Sequence, residues 1–385
     1  MKSLLFVLLL LSCSAATESS TGKIVFNCNE LSPELEKYLT QLSSEHSIIG
    51  LGESSHAVAE FMLLRQAITE YAIKKLNYRT IVLEMSSQDA ALLNDYLNFK
   101  NTNLDSILQQ AGIFYTSREF RGFMNSLRYL NSKLTTKIKF AGIDTEITNA
   151  DLLGLCQLKP SFKNQLLQID SSLREDTIYP YFLMLKNQSD NFKNEVFTRF
   201  EQVYRLLKPD SSLSIPLESL RNSFLRCTDQ FDAERDSLNS RLLLKITEKE
   251  KHVLVWYHNQ HLNLNRRSLA FFFNRESKTP IWSVAFEFGE GEYLTINPEY
   301  SKNQWSIFNH FWIKNYSPKA QNGIGNLINH HSGQCVLFHT DPSDSNYYQM
   351  HNIGAMNFVE YDSIQLSKSF NDIIYVPKAH IPVFE

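Results

Sequence analysis

The sequence predicts an α/β fold: an open, largely parallel sheet flanked by helices, with a mostly helical insertion. Three observations carry that expectation. Short apolar, β-branched runs recur along the chain, and each is nearly continuous in hydrophobicity, as expected of strands covered on both faces. Stretches with apolar spacing near three and four residues lie between them, so that strand, helix, strand repeats. One long segment lacks strand signals.

The first strand is expected over Ile48–Gly52. The stretch "HAVAEFMLLRQAITEYAIKKL" then suits a helix, and Thr80–Glu84 ("TIVLE") completes a βαβ unit. Further strands are expected over Ile138–Asp144 ("IKFAGID"), Val253–Tyr257 ("VLVWY"), Ile281–Phe286 ("IWSVAF"), Val336–His339 and Ile373–Val376. From about 149 to 250 helix formers dominate, with Pro160, Pro180, Pro209 and Pro216 as punctuation, and this part is expected to be a helical insertion on the sheet. Residues 22–385 are therefore expected to form one catalytic-type α/β unit that includes the insertion.

The N-terminus is expected to lie outside that unit. Met1-Lys2 and the apolar "LLFVLLLLS" form an export signal, too short to span a membrane as a mature helix. "LLSC" resembles a lipoprotein signal in which Cys13 carries lipid and attaches the protein to a membrane. The alternative is cleavage after Ala16 and plain secretion, since Ser14-Ala15-Ala16 offers small residues. Either route exports the protein, as a periplasmic or cell-surface lipoprotein or as a secreted chain. Cys28, Cys156, Cys227 and Cys335 remain, and in an oxidising compartment they permit three full disulfide pairings; buried free thiols are the alternative.

Composition narrows the partners. The 385 residues are 43 % hydrophobic with a net charge of −3, and basic residues cluster only briefly, as at Lys74-Lys75 and Arg266-Arg267. A nucleic-acid binder needs a basic stripe, so that class is set aside.

Charged residues fall at the strand ends. Glu53 and His56 follow the first strand, Glu84 closes the second, Asp144 closes the third, and His258 and His261 follow the fourth in "VLVWYHNQH". Open parallel sheets bind ligands at their carboxyl ends, so these groups are expected around one crevice. Singly, each has an ordinary explanation: Glu53 as a helix cap, Asp144 as a turn residue, each histidine as a packed one. Glu84 is harder to explain away, because a carboxylate continuing a buried strand needs a partner.

The stretches "IIGLGESSHAVAEFMLLRQAI", "YRTIVLEMSSQDA", "FAGIDTE", "ERDSLNSRLLLKI" and "VLVWYHNQHLNLN" resemble, in order, the motifs of the erythromycin esterase family, over about Ile48 to Tyr375. The resemblance implies an α/β fold with helical additions and hydrolysis of an ester, in the named members a macrolide lactone. It implies a general base at His56, a supporting acid at Glu53, a second acid at Glu84, a basic residue at Arg65, and a His-Asn-x-His motif whose histidines are His258 and His261. Ser54-Ser55 replace the commoner small-Thr pair and Ala57 stands where glycine is frequent, which bears on substrate preference more than on chemistry.

The chemistry fits independently. A histidine titrates near neutrality and can activate water, a neighbouring carboxylate can orient it, and His258 or Arg65 could face the developing oxyanion. Glu53 and Glu84 could divide orienting and acid roles if their pKa values are pushed apart. His261 and Asp144 are expected to contact a small-molecule ester or lactone. A serine nucleophile is disfavoured, because Ser54 and Ser55 lack the Gly-x-Ser-x-Gly elbow. No cofactor is expected and no metal, since the His-Glu-x-x-His spacing is absent, although two histidines and two carboxylates could hold zinc. An exported binding protein for haem or another apolar ligand is the alternative from a different class. The other histidines, including His351 and the adjacent His330-His331, are expected in packing, loop or surface roles.

Overall fold

The computed structural model describes residues 23–111, 113–144, 155–156, 158–173, 181, 184–185, 187–210, 213–227, 235–296, 311–316, 323–324, 333–351 and 361–384. The segment expected to be an export signal and His330-His331 lie outside them.

Eleven strands are described: β1 Lys23–Phe26, β2 Ile48–Leu51, β3 Thr80–Leu83, β4 Lys139–Gly142, β5 Val253–Trp256, β6 Trp282–Ile296, β7 Phe311–Tyr316, β8 Cys335–His339, β9 Tyr347–His351, β10 Tyr361–Gln365 and β11 Asp372–Ala379. All seven expected strands are among them. The main sheet runs β1-β8-β11-β6-β2-β5-β3-β4, with β7 paired to the far end of β6. From β11 to β4 every neighbouring pair is parallel. At one edge β8 and β1 run antiparallel, and β7 is antiparallel to β6. The fold is α/β with a mostly parallel sheet, as its apolar runs require: β2, β3 and β5 are buried at every position.

Helices cover both faces. Helix Ala59–Lys75 is wedged deeply enough that ten of its residues are buried, including polar Arg65, Gln66 and Thr69. Serine caps start the neighbouring helices where a turn leaves free N–H groups: Ser32, Ser86, Ser117 and Ser268 each accept from the backbone N–H three residues on. Helices Phe162–Ile169, Asp190–Leu207, Ser214–Cys227 and Arg235–Thr247 fill the interval between β4 and β5. The first three pack on a core of their own, which includes Phe162, Phe200, Leu220 and Phe224, while Leu242, Leu243 and Ile246 of the fourth pack with Val82, Val253 and Val255 of the sheet.

Sheet order departs from chain order at one decisive place. β5 inserts between β2 and β3, so the strand before His258 separates those carrying Glu53 and Glu84. Two glycines make the close packing there possible. A side chain at Gly52 would collide with the Asn259 amide, and one at Gly142 with the backbone carbonyl of Ser86. At the antiparallel edge a disulfide joins Cys28 to Cys335 across 307 residues. Among the described residues, no helix is long and apolar enough to cross a membrane.

Candidate active site

The carboxyl ends of β2, β5, β3 and β4 are consecutive in the sheet, and the polar groups that follow them form one continuous network. Glu53 leaves β2 in a turn that is buried from Leu51 to Ala59 except at His56. His56 Nδ1 lies 2.8 Å from Glu53 Oε1, and Arg65 donates to Glu53 Oε2 from the helix that follows. Arg65 also lies over the Trp256 ring, 4.8 Å from its centroid, which fixes the guanidinium plane. Burial opposes ionisation of Glu53, but Arg65 and then His56 outweigh it and hold its pKa below the usual range. Burial likewise opposes a charged His56, and its bond to Glu53 and the nearby Glu84 outweigh that and raise its pKa. With Nδ1 turned to the carboxylate, Nε2 is the ring nitrogen not committed to Glu53. The Phe114 ring lies 5.1 Å away on the same imidazole.

His258 is 5.2 Å from His56, ring to ring. Its role is fixed by the backbone. Nδ1 accepts from the Gln260 N–H at 3.2 Å and caps the short helix Asn259–Leu262. Nδ1 therefore carries no proton, and Nε2–H donates to the Ser54 carbonyl at 3.0 Å. Burial, reinforced by His56, lowers its pKa to about 4. His258 is neutral at pH 7, with both nitrogens committed to holding the turn.

His261, one turn on, is the opposite case. Its Nδ1 lies 2.7 Å from Asp236 and its Nε2 3.3 Å from Glu84. Burial opposes its charge, yet Glu84 and Asp236 overcome it and raise its pKa to about 10. Glu84 is held well below the usual carboxylate range because His261 and Arg235 outweigh its burial. It also accepts from the His258 backbone N–H at 2.9 Å, while its carbonyl accepts from the Tyr115 hydroxyl at 3.0 Å. Arg235 bridges Glu84 at 3.0 Å and both oxygens of Asp144, whose pKa it lowers against burial.

All seven expected residues thus share one network, in two halves: Glu53, His56 and Arg65, then Glu84, Asp144 and His261, with His258 between them. Glu53 and Glu84 are both held ionised, so their pKa values are not split into an acid and a base. Arg235 and Asp236 went unassigned in the sequence although they stand in one of the quoted stretches; a charged pair opening a helix reads as ordinary first-turn chemistry. Among the described residues, no group of three or more His, Cys, Asp or Glu side chains is arranged to hold a metal ion.

No family model matches the chain. Erythromycin esterase type II of Escherichia coli is 30 % identical over 108 residues, which are 28 % of this chain and 26 % of that protein. A solved erythromycin esterase, a mutant of EreC in its open conformation, superposes with a TM-score of 0.71 at 16 % identity, covering 94 % of this chain and 98 % of that one. The chain is thus similar to erythromycin esterases in part of its sequence and in its fold. A solved succinoglycan biosynthesis protein superposes on this chain with a TM-score of 0.75 at 14 % identity, covering 93 % of this chain and 96 % of that one. The curated match spans about a quarter of its relative's length, and the solved structures speak for the fold alone.

Proposed function

We propose that this erythromycin esterase-like chain hydrolyses a carboxylic ester or lactone with water activated by His56. The observation that carries the reading is the chain of bonds Arg65–Glu53–His56, which ends in a part-exposed imidazole on an otherwise buried turn. The carboxylate keeps the proton on Nδ1 and so leaves Nε2 as the acceptor.

Nε2 takes a proton from water as the oxygen attacks the ester carbon, and Glu53 stabilises the imidazolium that forms. The carbonyl π electrons move onto oxygen, and the resulting oxyanion is stabilised by N–H donors of Arg235 and of protonated His261. When the intermediate collapses, the C–O bond breaks and the His56 imidazolium returns its proton to the leaving alkoxide. The products are an acid and an alcohol, or a single hydroxy acid from a lactone, and the base is regenerated. Glu84, Asp144 and Asp236 keep the two cations in place. His258 holds the turn at its height.

Turnover of a nitrophenyl ester by the purified chain, before and after exhaustive chelation, tests the reading together with His56→Asn. Loss of at least about 100-fold in kcat for His56→Asn, with wild-type activity unchanged by chelation, is the expected result. Equal turnover by His56→Asn would overturn the assignment of the base, and activity lost to chelation and restored by zinc would overturn the metal-free mechanism. The disulfide supports export, the compartment in which such bonds persist.

A further inference from the structure

We propose that Glu287 and His351 are a buried positioning pair for His56, acting through Ser54; this rests on the reading of His56 as the base. Glu287 is 2 % exposed and lies within β6, next to β2 in the sheet. A carboxylate buried there is costly unless its oxygens are filled by donors. They are. Oε1 accepts from Ser54 Oγ at 3.2 Å, from the Phe288 N–H at 2.8 Å and from His351 Nδ1, while Oε2 accepts from the His351 backbone N–H at 2.8 Å. The His351 ring is stacked on Phe288, 4.2 Å away with an interplanar angle of 8°, so its direction is fixed too.

Ser54 is where this pair meets the site. Its hydroxyl donates to Glu287, its carbonyl accepts from His258, and it stands directly between Glu53 and Ser55-His56. The turn is neither helix nor strand, so nothing periodic fixes its shape. Its anchors are local bonds, among them Gly52 N–H to the Val284 carbonyl, Asn259 N–H to the Glu53 carbonyl, Ala59 N–H to the His380 carbonyl, Arg65 to the Glu53 carboxylate, and the two on Ser54. Without the Ser54–Glu287 bond one anchor is gone, and the Glu53–His56 contact loosens. His351 ends β9, so the pair also ties the two-stranded β9/β10 sheet to this turn.

His56 faces Glu53, Glu84, His258 and His261 among charged or titratable groups, with Phe114 on its ring. Glu53 contributes most to keeping its proton. Loosening that contact therefore lowers the pH at which His56 titrates. The experiment follows the His56 ring carbon by NMR in the full chain, as wild type, Ser54→Ala, Glu287→Gln and the double variant. Each single change is expected to lower the His56 midpoint by about half a pH unit, and the double variant to lower it no further. On an ester substrate kcat is expected to fall about ten-fold with KM within two-fold. An unmoved midpoint in Ser54→Ala, or shifts that add in the double variant, would overturn the proposal. Ser54→Ala leaves three donors on Glu287 and decides alone if Glu287→Gln does not fold. The midpoint is read without substrate, so a chain that turns over no ester refutes the hydrolase reading separately.

Discussion

His258 offers the most quantitative test, because its two hydrogen bonds dictate its charge. Nδ1 accepts a backbone N–H, so protonating it would set two N–H groups against each other inside the protein, at a residue 3 % exposed. Its folded pKa of about 4 lies below the ordinary value of 6.5. The unfolded chain therefore binds this proton first as pH falls. Stability from a neutral His258 is fully present above pH 6.5 and is lost as pH falls towards 4. The gap corresponds to about 3 kcal/mol in all, of which about 2 kcal/mol is lost by pH 5. His258→Gln keeps an amide N–H for the Ser54 carbonyl and does not titrate. Urea unfolding at pH 7.5 and pH 5 should show the wild type losing about 2 kcal/mol more than His258→Gln between the two. Other titrating groups are common to both proteins and cancel. Equal losses, or an NMR midpoint for His258 near 6.5, would refute the assigned tautomer and with it the structural role.

Three further outcomes are expected. Because Glu53 and Glu84 raise the pKa of His56, kcat/KM should fall with acid through a midpoint above 6.5; a limb below 6.5 would contradict a carboxylate-held base. Asp236→Asn removes one of the two carboxylates on His261 and should lower its NMR midpoint from about 10 by at least about one unit, and an unchanged midpoint would show that Glu84 suffices. Gly52→Ala puts a methyl group 2.1 Å from the Asn259 amide oxygen, breaking that side chain's bonds to Phe286, and should cost about 1–3 kcal/mol in denaturant unfolding; a neutral change would mean the loop gives freely.

The sequence alone determined the central strands and the residues at their ends. Runs such as "TIVLE" and "VLVWY" are apolar at every position, and only a strand covered on both faces buries them all. It did not disclose β1, β7, β9 or β10; β1 and β9 are short strands that carry polar or exposed residues such as Lys23 and Tyr347 and so lack that signature. Sheet order was likewise invisible. Nothing in the chain between 84 and 253 states that β5 will enter between β2 and β3, yet that insertion brings His258 against Ser54 and His261 against Glu84. Charge states followed from partners, not residue types. His258 and His261 stand three residues apart in one motif. One is neutral because the backbone takes its Nδ1, and the other is protonated because two carboxylates flank it. Glu287 and His351 are 64 residues apart and lie outside the quoted stretches, so only the packing of β9 against β6 made them a pair. Local apolarity is written along the chain, whereas the field at a buried group is set by whatever distant segments fold around it.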